Sequence, residues 1–181
     1  MSYYPILNAP QCKGWTTLCN FSPNNWEVSN NSEKYVNVTW ADEGSWHTRN
    51  IGKIASNEFR QVNIEEVENY IPKLALPLLS ITSSTMPELS STLPKSESPT
   101  EVPAWRAALG LSTNFTLTSY QGEIDPFPSP GSLLTFCPFL QYDKDISNFL
   151  IFMNIEKTPI LRKSYIEIYN PANPKVLLER F

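Results

Sequence analysis

Glu123 and Asp125 stand two residues apart in TSYQGEIDPFPSPG, the stretch from Thr118 to Gly131. On a strand, residues i and i+2 share a face, with α-carbons about 6.5–7 Å apart. Two carboxyls about 5–9.5 Å apart can flank and cleave a glycosidic bond. Glu123 and Asp125 are therefore the catalytic candidates, with Tyr120 or His47 as a helper. The sequence favours a plainer reading, two solvated carboxylates where a strand meets a turn. Asp125 precedes Pro126, and the residue before proline takes extended or turn backbone.

Other chemistry has fewer residues to work with. His47 is the single histidine, and Cys12, Cys19 and Cys137 are the three cysteines. Together they would make four ligands, but their spacing matches no zinc finger or ribbon, so no metal is expected. A Cys137–His47 thiolate–imidazole pair is conceivable. Cys137 lies in the apolar stretch TFCPF, however, whereas a reactive thiol needs a positive, partly exposed setting. No G-x-S-x-G elbow occurs, and the six glycines form neither G-x-G-x-x-G nor a phosphate loop. No cofactor is expected.

Aromatic residues offer the broadest signal, at 12% of the chain. Tryptophan and tyrosine beside Asn and Gln suit sugar rings or protein contacts, because apolar area and hydrogen bonds combine. The candidate ligand-binding residues are Trp15, Asn25, Trp26, Trp46 and Tyr120, with GWTTLCNFSPNNWE (14–27) as the densest cluster. The alternative is that these rings fill a β core and its rim.

Composition narrows the partners. The net charge is −4, with residues 1–103 carrying 7 basic and 11 acidic side chains and residues 104–181 carrying 7 of each. Without a basic stripe, nucleic acid is not an expected partner. The longest candidate for a membrane helix, YIPKLALPLLSI (70–81), is short and broken by Pro72, Lys73 and Pro77, so no membrane partner is expected either. The start, MSYYPILNAPQCKGW, has no signal-peptide pattern. An odd cysteine count does not suit a disulfide framework, although Cys12 and Cys19 could pair across a hairpin. A cytoplasmic location follows. Sequons occur at Asn20, Asn30, Asn37 and Asn114, a number that chance accounts for.

These candidates need elements to hold them. Sixteen prolines and short alternating runs predict strands and turns. KYVNVTW (34–40) alternates, ADEGS turns, and WHTRNIGKIA returns as its partner. NFTLTSYQ (114–121), SLLTFCPFLQY (132–142), NFLIFMNIE (148–156), SYIEIYN (164–170) and KVLLERF (175–181) read as further strands. NIEEVENYI (63–71) is a helix candidate capped by Asn63, with Glu65 and Glu66 at its positive end and Pro72 as its stop. PAWRAALGL (103–111) could be a second short helix ended by Gly110. Residues 80–103, rich in Ser, Thr and Pro, read as a long loop or linker. The fold expected is mainly β or β-rich α+β: an antiparallel sandwich or open barrel with one or two short helices. One domain over 1–181 is preferred, with subdomains 1–79 and 104–181 as the alternative.

The function expected is a non-catalytic binding or assembly module. It would engage a protein or a carbohydrate through an aromatic surface, with homo-oligomers possible. The alternative is a carbohydrate-active hydrolase or lyase using Glu123 and Asp125.

Overall fold

The computed structural model describes residues 3–20, 33–73, 75–94 and 107–121, with 144–145, 155, 157–159, 165, 167–170 and 172–181. Among them run β1 (Tyr4–Pro5), β2 (Lys13–Cys19), β3 (Lys34–Asp42), β4 (Ser45–Ile54), β5 (Phe59–Asn63), α1 (Ile64–Val67), β6 (Leu78–Thr82), β7 (Leu89–Ser90), β8 (Ala108–Ser112), β9 (Leu117–Gln121), β10 (Glu167–Asn170) and β11 (Asn173–Arg180). The fold is mainly β, with antiparallel pairing and one short helix.

Two sheets carry the core. One has five strands in the order β1-β6-β3-β4-β7, the other four in the order β5-β2-β8-β9. The β3–β4 hairpin matches the sequence alternation and supplies the longest ladder, with Trp40 opposite His47 and Thr39 opposite Thr48. Its turn residues Glu43 and Gly44 take positive φ of 47° and 78°, the two-residue geometry that follows strand twist. Val36, Val38 and Trp40 project from one side of β3 and meet Leu18 of β2, Val62 of β5, Ile64 and Val67 of α1, and Leu109 of β8. Each fully buried aliphatic chain contributes about 1.5–3 kcal/mol of transfer free energy. Thr16 also points inward, donating to the Pro5 carbonyl of the other sheet at 2.8 Å.

Three local expectations change. The helix at 63–71 is one turn long. Asn63 occupies the capping position with extended backbone but makes no side-chain cap; its Oδ1 instead accepts from Gln61 Nε2 at 2.9 Å. The Tyr70 N–H bonds the Val67 carbonyl, a tighter turn that ends the helix ahead of Pro72. At 103–111 the described part is no helix. Ala108–Ser112 is a strand between β2 and β9, because Ala107 and Leu109 bury inward with a period of two. Asn114–Thr116, expected in a strand, form a turn: Thr113 Oγ1 accepts from the N–H groups of Phe115 and Thr116 at 3.2 and 3.1 Å, drawing the backbone away from the ladder.

Of the stretch 80–103, residues 80–82 complete β6, 89–90 form β7, and Leu93 is buried; 95–103 lie outside the described residues. β2 pairs with β8, so one sheet joins strands from both sides of that stretch. The expected strands at 132–142 and 148–156 lie outside the described residues, apart from Ile155.

Candidate functional site

Strand alternation gives each sheet a second face pointing away from the shared core, and the two outer faces differ. On β4, His47 shares the core side with Trp40; their rings stack at 5.6 Å between centroids, 16° from parallel. Trp46 therefore points outward from the five-stranded sheet. It is 4% exposed, in a cluster with Tyr3, Leu78 and Leu93. Its Nε1 donates to the Lys157 carbonyl at 3.0 Å, and the Leu93 N–H donates to the same oxygen at 2.7 Å.

A row of buried polar side chains shares this outer face: Asn37, Thr39, Thr48, Ser80 and Thr82. Buried polar groups are costly unless paired, and these are paired. Asn37 Nδ2 donates to Thr82 Oγ1 at 2.9 Å, and Thr82 Oγ1 to the Ser84 carbonyl at 2.7 Å. The Thr39 and Thr48 hydroxyls lie 3.1 Å apart, and Asn50 Nδ2 reaches the Val36 carbonyl at 3.1 Å. The Tyr3 hydroxyl donates to the Pro94 carbonyl, and burial pushes its pKa well above the tyrosine range despite a hydrogen bond with Thr39. This face is closed, and its donors are already used.

On the four-stranded sheet, Thr16 and Leu18 face the core, so Lys13, Trp15, Thr17 and Cys19 face out. Trp15 is 7% exposed, yet its Nε1 is buried without a hydrogen-bond partner. Its indole packs against Gly110, the residue opposite it on β8. A Cβ at Gly110 would fall 2.2 Å from Trp15 Cζ2 and 2.3 Å from the Thr118 carbonyl, so only glycine fits beneath the ring. Around this platform apolar side chains remain exposed: Phe59 opposite Cys19, Leu117 opposite Ser112, and Phe115 at the β8–β9 turn, 94% exposed.

The end of this sheet is concave. A hollow of about 440 Å³ opens between the 10–13 segment and the β8–β9 turn, lined by Pro10, Gln11, Cys12, Lys13, Ser112, Thr113, Asn114 and Phe115. Gln11 holds its wall in left-handed backbone, φ 64°, as an Ala9–Cys12 bridge closes the tight turn. A second hollow of about 430 Å³ adjoins it, lined by Lys13, Asn63, Glu65, Glu66 and Ser112. Both fall within the usual range for small-ligand sites. Between them, Lys13 Nζ pairs with Glu65 Oε1 at 2.7 Å. That hydrogen bond and the neighbouring charge raise the pKa of Lys13, and the same hydrogen bond lowers that of Glu65.

The residues singled out from sequence separate. Trp15 and Trp46 lie on opposite outer faces and make no single aromatic patch. Tyr120 lies on β9 opposite Leu109. Glu123, Asp125, Asn25 and Trp26 lie outside the described residues, as does Cys137. His47 is half-buried, with Trp40 and Leu89 as its cross-strand partners. Cys12 and Cys19 are free thiols. They sit at opposite ends of β2, roughly 20 Å apart at strand rise, beyond disulfide reach; burial raises the Cys19 thiol pKa. Among the described residues, no cluster of three His, Cys, Asp or Glu could hold a metal ion, and no helix is long and apolar enough to cross a membrane.

Phe115, Leu117, Phe59 and Asn114 were not singled out from the sequence. Their signal is weak: Phe115 and Leu117 alternate as inward residues would, and only Thr113–Asn114, as turn formers, betray the bend. No family model matches the chain, and neither a curated protein nor a solved structure does.

Proposed function

We propose that this chain is a non-catalytic binding or assembly module that engages a protein or a carbohydrate through the open end of its four-stranded sheet. The observation that carries this reading is Phe115, 94% exposed on the rim of the 440 Å³ hollow, beside Asn114, Ser112 and Lys13. An exposed ring supplies apolar area, while amide, hydroxyl and ammonium groups give direction. Sugar rings and protein hot spots are both recognised in this way. Leu117 and Phe59 extend the apolar surface along the same sheet. Among the described residues, the hollow's lining contains no carboxylate and no imidazole, which supports binding over proton-transfer chemistry there. The reading places the protein in the cytosol, where free thiols such as Cys12 and Cys19 stay reduced.

The test compares the full chain with Phe115→Ser, immobilised at equal density. Each is probed with a glycan array and, by cross-linking mass spectrometry, with extract proteins. Phe115 belongs to an exposed turn, so the melting temperature should not move. A glycan or protein held by the native chain should be held about 30-fold more weakly by the variant, the size of a hot-spot truncation. Equal retention by both chains would refute the assignment.

A further inference from the structure

The two hollows at the end of the four-stranded sheet meet at Lys13 and Ser112, which line both. Strand register explains the meeting. Lys13 of β2 lies opposite Ser112 of β8, and Ser112 opposite Leu117 of β9. Directly opposed residues share a face, so the three form one outward row. Leu117 to Lys13 spans about 10 Å at strand spacing. Trp15 lies opposite Asn63 on the other side of β2. Glu65, two residues on, therefore comes level with Lys13, and their ion pair extends the row. A row of this length suits a chain of linked units better than one small molecule.

The composition of the second hollow separates the ligand classes. Its lining, Lys13, Asn63, Glu65, Glu66 and Ser112, is polar throughout. Lysine, glutamate and serine are depleted at protein–protein interfaces, whose anchors are aromatic or arginine. The same groups suit a polyhydroxylated ligand. A carboxylate accepts, an ammonium donates, and an amide or hydroxyl does both, so a sugar hydroxyl finds a partner in either role. Phe115, on the rim of the first hollow, offers a ring for the apolar face of a sugar.

Charge narrows the class further. Glu65 is paired with Lys13, and Glu66 with Arg60. Arg60 is itself steadied by the Ile51 carbonyl, to which Nη1 donates at 2.9 Å. Glu68 acts on Lys13 more weakly than Glu65 does. An anionic ligand would bring its charge against Glu65 and Glu66. A cationic one would have to displace Lys13 or Arg60. A neutral ligand leaves both ion pairs in place. We propose that the joined hollows hold a neutral oligosaccharide, with one sugar ring against Phe115 and a later one donating to Glu65 and accepting from Lys13 Nζ and Asn63 Nδ2. This assignment rests on the binding reading above and chooses carbohydrate over protein within it.

Isothermal titration calorimetry of the full chain tests it. The probes are cellohexaose, maltohexaose, mannohexaose and laminarihexaose, protonated chitosan hexamer, galacturonate hexamer and the matching free sugars. At least one neutral hexamer should bind, about tenfold or more tighter than its own monosaccharide and than either charged hexamer. Glu65→Gln leaves Lys13 without its carboxylate and should shift the preference about tenfold towards galacturonate. Lys13→Gln leaves Glu65 without its cation and should shift it about as far towards chitosan. Both side chains are exposed, so neither change should unfold the chain. A native chain that binds a charged hexamer as tightly as any neutral one would overturn the proposal. So would an order of preference that neither variant moves, or no binding to any hexamer. In that last case a protein partner lost on Phe115→Ser would leave the binding reading standing, whereas a chain indifferent to Phe115→Ser would lose both.

Discussion

Trp15 and Trp46 are the same residue on outward positions of neighbouring layers, and they have opposite fates. Trp46 is buried in a cluster with Tyr3, Leu78 and Leu93, and its N–H donates to the Lys157 carbonyl. Trp15 is as deeply buried, but its N–H is unpaired, and the apolar side chains around its sheet stay in water. A buried side chain whose polar group is bonded marks finished structure. A sheet that keeps phenylalanine and leucine exposed beside open hollows has the character of a contact surface. The difference between the two faces lies in whether the indole N–H is bonded and whether the neighbouring apolar side chains are buried.

The largest effect that sharpens this comparison is expected at Gly110. Gly110→Val would drive methyl groups into the Trp15 indole and the Thr118 carbonyl, costing about 3 kcal/mol and lowering the urea midpoint accordingly. Next comes a pair of asparagines. Asn37→Ala on the closed face removes a donor to Thr82 and should cost about 2 kcal/mol. Asn63→Ala on the open face should stay within about 0.5 kcal/mol. Equal costs at the two positions, by chemical denaturation, would erase the distinction between the faces.

The smallest effect is electrostatic. The lowered Glu65 pKa adds stability above the ordinary carboxylate value, lost as pH falls through its depressed folded value. The raised Lys13 pKa adds stability below the ordinary lysine value, lost as pH rises through its elevated folded value. Both groups are exposed, so the gains are slight. Lys13→Met should remove the alkaline drift in a pH series of urea unfolding, reduce the acid drift to what the backbone hydrogen bond of Glu65 supports, and leave the mid-pH plateau nearly unaltered.

The sequence reveals most where one local rule acts alone. The β3–β4 hairpin is legible because Val36, Val38 and Trp40 alternate and Glu43–Gly44 tolerates positive φ. The β10–β11 pair is legible from the alternation of SYIEIYN and the NPANP turn that follows it. Reading fails where a residue serves a distant neighbour. Gly110 looks like a helix stop, yet it is a strand residue beneath an indole far away in the sequence. Asn63 looks like a cap, yet its side chain is taken by Gln61. The candidate site was the least legible part. Trp15 and Trp46 are indistinguishable until the covering segments are placed, and Phe115 reads as a core residue until Thr113 bends the chain.

The contrast between the faces is tested most directly by Trp46→Phe and Trp15→Phe, with unfolding free energies measured side by side. Both changes remove the same volume, so their difference isolates the indole N–H. Trp46→Phe breaks a hydrogen bond, whereas Trp15→Phe relieves a buried unpaired donor, so the first should cost about 2 kcal/mol more. Equal costs, or a larger loss at Trp15, would contradict the account.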